Sequence, residues 1–220
     1  MNQRYTALAF CSIIWFTHVF ASNALSILLP LVTKEFSLSY SETGILVTAS
    51  LLVFAFMQLP AGYFAGRIDC RKILAFGIAF HSMSNLLIAA AANYVQFFGL
   101  NMLRSVGSGC HLTVATAFIS NLFETKDRGR AIGTHESAVP LAGLVSPVVS
   151  LPLALVLDWR TTYLIYGVIG LAVAAASYVF MRNITEPEIV KAPVGEEGKG
   201  ATSANVLMLL LVLTIHAFVF

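Results

Sequence analysis

Charge is what this sequence has least of. Asp, Glu, Lys and Arg make up 11% of its 220 residues, where a soluble domain carries roughly 25%. With 58% hydrophobic residues and a mean hydropathy of +0.82, the chain has more apolar surface than a water-soluble fold of this length can hide. Cysteine is scarce as well. Cys11, Cys70 and Cys110 stand in or beside apolar runs without CxxC spacing, so neither a disulfide framework nor a zinc site is expected. No metal and no other cofactor is expected. A formal net charge of +2 carries no signal for nucleic acid, and no nucleic-acid partner is expected. His135-Glu136 is not the start of HExxH, because Val139 fills the second histidine position. With no nucleophile, base and metal set in view, the chain does not read as an enzyme.

Long apolar runs are what it has instead. A helix needs about 20 apolar residues to cross a bilayer, and six runs qualify, at about 5–32, 41–65, 73–92, 95–122, 131–157 and 162–181. The first outlasts a ~7–15 residue signal-peptide core, so it reads as an uncleaved transmembrane helix. Short connections force sequential antiparallel neighbours. Between the second and third runs lies the basic turn 62–72, GYFAGRIDCRK. Lys and Arg stay on the cytoplasmic side, and this turn orients every other loop. On its side fall Arg4, Arg67, Arg71, Lys72, Lys126, Arg128, Arg130, Arg182, Lys191 and Lys199; the opposite side holds only Lys34 and Arg160. The expected bundle therefore has both ends in the cytosol, in a cell inner or plasma membrane.

Three expected parts follow: a six-helix bundle at 1–181, a cytoplasmic linker at 182–204 rich in Pro, Gly and mixed charge, and the start of a seventh helix at 205–220, cut short of a ~30 Å core. Asp69-Cys70-Arg71 and Asp158-Trp159-Arg160 repeat after the second and fifth helices, and His18 and His111 sit in the first and fourth. Three intervening helices place the copies on opposite sides of the membrane, as an inverted repeat of two three-helix units requires. Chance in a biased composition is the alternative.

These residues resemble the amino-terminal half of a major facilitator superfamily transporter. Gly62, Arg67, Arg71 and Lys72 match the family's loop between helices two and three. Gly66 stands where the family has an Asp, leaving Asp69 to supply the acid. Arg104 with Gly107 and Gly109 resembles the fourth-helix arginine motif, residues 124–133 the loop before helix five, and Trp159-Arg160 the outer pair before helix six. Gly143, Ser146 and Pro147 resemble the Gly-Pro motif of antiporters. His18, Gly109-Cys110-His111 and residues 133–137 look like the fosmidomycin-resistance-type efflux branch. The resemblance implies twelve helices in two halves that rock around a central site. The missing carboxy-terminal half or a partner half-transporter, the lipid bilayer, a small-molecule substrate and protons are then the partners, and Gly62, Arg67, Asp69, Arg71 and Lys72 form a conformational gate loop.

Ionisable groups at membrane depth are costly and by default face a bundle interior or a watery cavity. Arg104 lies near mid-bilayer, and Asn101, Arg104, Ser108 and His111 follow at helical three- or four-residue steps. With His18 and Asn23, the expected substrate-binding residues are His18, Asn23, Asn101, Arg104 and His111; a structural Arg satisfying carbonyls is the alternative. Glu136 and the neighbouring His135 are the expected proton-coupling pair, although adjacent helical residues point about 100° apart. Glu136 as a structural partner of Arg104, or as a packing contact within helix five, is the alternative. His81 and His216 read as packing histidines, and the pairs Gly62/Gly66 and Gly129/Gly133, marking close helix approach or a turn, as packing devices. The expected function is secondary active transport of a small solute by alternating access, as proton-coupled efflux. The competing reading is a half-transporter that binds, scaffolds or senses without transporting.

Overall fold

Helix boundaries follow from backbone groups that must find partners where water is absent. A computed structural model describes residues 3–182 and 184; the expected linker beyond Ile184 and the seventh helix lie outside the described residues. Those described fall within one compact unit and form eight α-helices, with no strand among them. The first helix, α1, spans Gln3–Phe36, longer than expected, since the first half of the supposed loop at 33–40 continues the helix. It ends at Ser37, whose φ of 52° is left-handed, and the Leu38 N–H closes back on the Thr33 carbonyl at 3.0 Å.

Side-chain caps open the next three helices. Ser39 starts α2 (Tyr40–Ala65) with a reciprocal box: its hydroxyl accepts from the Glu42 N–H at 3.3 Å, and the Glu42 carboxylate accepts from the Ser39 N–H at 2.8 Å. Asp69 caps α3 (Cys70–Ala89) by accepting from the Arg71 N–H at 2.9 Å. Asn93 caps α4 (Tyr94–Gly109) by accepting from the Gln96 N–H at 3.0 Å.

Two expected continuous helices are broken. The run expected at 95–122 is divided at Cys110 into α4 and α5 (His111–Leu122), beside Gly107-Ser108-Gly109, a composition that kinks helices. The fifth starts earlier than expected, as α6 (Thr125–Glu136), and breaks at Ser137 before α7 (Ala138–Val156). Pro140 explains the second break: it offers no N–H to the Glu136 carbonyl and its ring crowds that oxygen. Both junction residues keep right-handed helical dihedrals, so each pair bends rather than turns back. Asp158 then caps α8 (Trp159–Met181), accepting from the Thr161 N–H at 2.6 Å. Among the described residues, five helical stretches are long and apolar enough to cross a membrane; the divided α4–α5 run is not one of them.

Two apolar clusters fill the interior. One, at the end bearing the basic turn, joins Ile14, Ala65, Leu74, Val114 and Phe118. The other, at the opposite end, joins Leu28, Leu46, Phe97, Trp159 and Tyr163. Between them in sequence and space, α1, α3, α4, α5 and α6 contribute the buried His18, His81, Arg104, His111 and His135. Helices α3 and α4 approach backbone to backbone at Gly107, where a β-carbon would stand 2.6 Å from the His81 nitrogen and 2.7 Å from the Gly77 oxygen. Gly129 and Gly133 touch nothing within 4 Å and Gly66 only a backbone oxygen at 4.0 Å, so the expected packing pairs are not where helices meet closely. Gly62 alone among them approaches a neighbour, Thr113.

Candidate functional site

The polar layer opens onto a cavity of about 240 Å³ between α1, α2 and α4. Trp15, His18 and Asn23 line it from α1, Phe54 from α2, and Arg104 and Ser108 from α4. Arg104 is 3% exposed. Its Nη1 donates to the Ala21 carbonyl at 3.2 Å, and the Tyr163 ring lies 5.8 Å from its Cζ. Among the described residues it makes no ion pair. Five N–H donors in a fixed fork and an uncompensated buried charge favour an anion.

Beside the cavity four imidazoles touch in a row. His135 Nδ1 lies 3.0 Å from Glu136 Oε1, and His135 Nε2 lies 3.1 Å from His111 Nε2. The His111 and His18 ring centres are 5.4 Å apart, and His18 meets His81 edge-to-face at 4.5 Å. Trp15 covers the row, stacked 5.1 Å from His111 and 6.3 Å from His135. The histidines are buried, while the Glu136 side chain is 40% exposed.

At the basic turn, Asp69 and Arg71 pair at 2.6 Å. Arg71 also donates to the carbonyls of Met181, Arg182 and Ile184, tying the turn to the end of α8. Arg67 lies over the Tyr63 ring at 3.6 Å and donates to the Tyr63 carbonyl. Gly62 lies in the last turn of α2, and Lys72 lines a shallow apolar groove with Phe64 and Phe76.

Of the expected substrate-binding residues, the cavity brings together His18, Asn23 and Arg104. Asn101 and His111 lie apart from its lining. Asn101 is fully buried and donates to the Phe97 carbonyl at 2.8 Å, and the break at Cys110 turns His111 toward His135. The stripe expected on one helix face is thus split by the kink. His135 does not point away from Glu136: the carboxylate folds back onto the preceding ring. Glu136 makes no contact with Arg104. Sequence reasoning passed over Trp15 and treated His81 as packing. Trp15 stands three residues before His18, on the same helix face, and that spacing was the available signal; His81 had none.

The sequence matches the profile of the Major Facilitator Superfamily over residues 11–220, and the chain belongs to that family. A probable L-galactonate transporter of Escherichia coli (strain K12) is 26% identical over 183 residues, 83% of this chain and 40% of that relative. A hexuronate transporter of Bacillus subtilis (strain 168) is 24% identical over 172 residues, 78% of this chain and 40% of the relative. A bacterial homolog of the human lysosomal transporter Spinster, solved inward-facing and unoccupied, superposes with a TM-score of 0.77 at 18% identity, covering 90% of this chain and 48% of that one; this likeness establishes the fold. The chain therefore spans under half the length of these relatives. With its apolar helices, it is an integral membrane protein of a transporter family.

Proposed function

We propose that the chain forms one wall of a secondary transporter that moves a small organic anion by alternating access, coupled to protons through Glu136. One observation carries this reading: Arg104 is buried at the cavity wall with no carboxylate paired to it among the described residues. An unpaired buried cation is costly, and a bound anion offsets that cost. The relatives named for L-galactonate and hexuronate carry carboxylate-bearing sugars, which fit the same chemistry. His18, Asn23 and Ser108 supply hydrogen bonds, and Trp15 and Phe54 flat apolar contact.

In this reading the chain makes six crossings, the kinked α4–α5 and α6–α7 runs each crossing once, with both ends of the bundle cytoplasmic. Support for two inverted repeats comes from paired roles: Asp69 and Asp158 each cap a helix, and the Arg two residues on, Arg71 or Arg160, ties that helix end to another element. The turn bearing Gly62, Arg67, Asp69, Arg71 and Lys72 acts as the gate loop, locked to the end of α8 in one state and released in the other. The exposed apolar surface of α2 and α7, including Phe56, Leu59, Leu144 and Val148, fits lipid and the second half of the twelve-helix fold.

The test is solute flux into proteoliposomes holding the protein as its gene encodes it, with a labelled sugar acid. Arg104→Gln should abolish flux and Arg104→Lys retain part of it, since Lys keeps the charge but loses the fork. Equal flux in wild type and Arg104→Gln removes the assignment. Efflux, the direction expected from the sequence, requires that acid outside the vesicle speeds loss of preloaded solute. Acid-driven accumulation reverses the direction and keeps the coupling.

A further inference from the structure

The geometry points to a proton wire in which His111 Nδ1 is the inner acceptor, His111 and His135 are the conductors, and Glu136 is the outlet. This deepens, and rests on, the reading of Glu136 as the proton-linked group. An imidazole carries one proton when neutral, on one nitrogen, and which nitrogen holds it is set by the partner of the other. An ionised Glu136 only accepts, so the 3.0 Å contact to His135 Nδ1 puts the proton on that nitrogen. Neutral His135 then has a bare Nε2. The 3.1 Å contact between the two Nε2 atoms therefore needs its proton on His111, whose Nδ1 is left bare. That nitrogen is buried and makes no hydrogen bond among the described residues.

Transfer follows without any ring rotating. A proton binds His111 Nδ1; the His111 Nε2 proton crosses to His135 Nε2; the His135 Nδ1 proton crosses to Glu136. One proton has entered, and the three groups hold it as neutral His111 protonated on Nδ1, neutral His135 protonated on Nε2, and a neutral Glu136 carboxyl, which then releases its proton to the outlet side. After that release both imidazoles carry their protons on the opposite nitrogens, so ring rotation, drawn by the ionised Glu136 at the bare His135 Nδ1, resets the row for the next proton. Placing a proton on both facing Nε2 atoms would set two N–H groups against each other at 3.1 Å, so the wire holds one excess proton at a time.

The surroundings fit this role. His18 lines the solute cavity and lies 5.4 Å from His111, ring centre to ring centre, which makes it the entry from that side. The Trp15 face stacked on His111 and His135 stabilises a passing imidazolium and walls it off from the solute. The other groups facing the row are His81 of α3 against His18, Arg104 of α4 within electrostatic range of His81, and Tyr163 of α8 beside Arg104; α2 offers the uncharged Phe54.

Two measurements test this. The first is 15N NMR of the histidine-labelled protein at a pH where Glu136 is ionised. His135 protonated on Nδ1 and His111 on Nε2 are expected, and Glu136→Gln should release both into tautomer mixtures. The opposite tautomers, or no response to Glu136→Gln, overturn the wire. The second is proteoliposome flux with and without a pH gradient. In His111→Gln and His135→Gln, stimulation by the gradient should fall about tenfold or more; undiminished stimulation in either overturns it. Should either variant fail to fold, the NMR result on the unmodified chain decides. A protein with these tautomers but no solute flux keeps the wire and loses the transport reading.

Discussion

The Trp159 indole N–H donates to the Glu35 carboxylate at 2.6 Å, joining the end of α1 to the start of α8. Arg160 pairs with the same carboxylate and donates to the Ala91 carbonyl at 2.8 Å, so Glu35 and Arg160 together gather three helix ends on the side opposite the basic turn. Glu35→Gln keeps one acceptor and loses the charge. Because the Glu35 side chain is 41% exposed, the cost should be about 1 kcal/mol or less, seen as a lower unfolding midpoint in detergent that converges with wild type at high salt. A salt-independent difference contradicts the electrostatic account.

Ser37 holds a left-handed φ of 52°, which a side chain disfavours. Ser37→Gly should stabilise the closure of α1 by about 0.5–1 kcal/mol, partly offset by the freer unfolded chain. Thermal unfolding of the two proteins side by side checks the sign.

Gly107 sits where α3 and α4 touch through backbone. Gly107→Ala places a methyl 2.6 Å from the His81 nitrogen, and backbone, unlike a side-chain tip, does not swing aside. A loss of about 1–3 kcal/mol is expected. Gly129→Ala, with nothing within 4 Å, is the control and should be neutral or slightly stabilising as a better helix former.

Asp69 both caps α3 and pairs with Arg71. Asp69→Asn preserves the cap and removes the charge, whereas Asp69→Ala removes both, so Ala should cost about 1 kcal/mol more than Asn. Hydrogen exchange at the first turn of α3 should rise in Asp69→Ala alone. Equal exchange in the two variants places the stabilisation elsewhere.

Much of the bundle was legible because lipid leaves a helix few options: apolar runs of spanning length, short connections and one-sided basic residues read directly as helices and turns. The caps at Ser39, Asp69 and Asn93 fall in the polar connections for the same reason. What went unread was where two rods bend. Pro140 marks a bend by itself, whereas at Cys110 the mark is only the neighbouring Gly107-Ser108-Gly109, and the kink there parts Arg104 and Ser108 from His111. Candidate residues were named more readily than their grouping. The Glu136–His135 contact ran against simple helical angles, since a flexible carboxylate reaches back along its own backbone.

The sequence by itself determined a helical membrane chain, its family, and which polar groups are buried against the grain of their surroundings, because hydrophobic length and unpaired charge are local properties that need no neighbours to be read. Only the tertiary structure decided that His18, His81, His111 and His135 touch, that Arg104 meets a cavity wall without a counter-ion among the described residues, and that Glu35 and Arg160 together gather three helix ends. Those contacts join residues from separate helices, and helix crossings are set by where small residues let backbones approach, a property of pairs of surfaces that no single run of sequence contains.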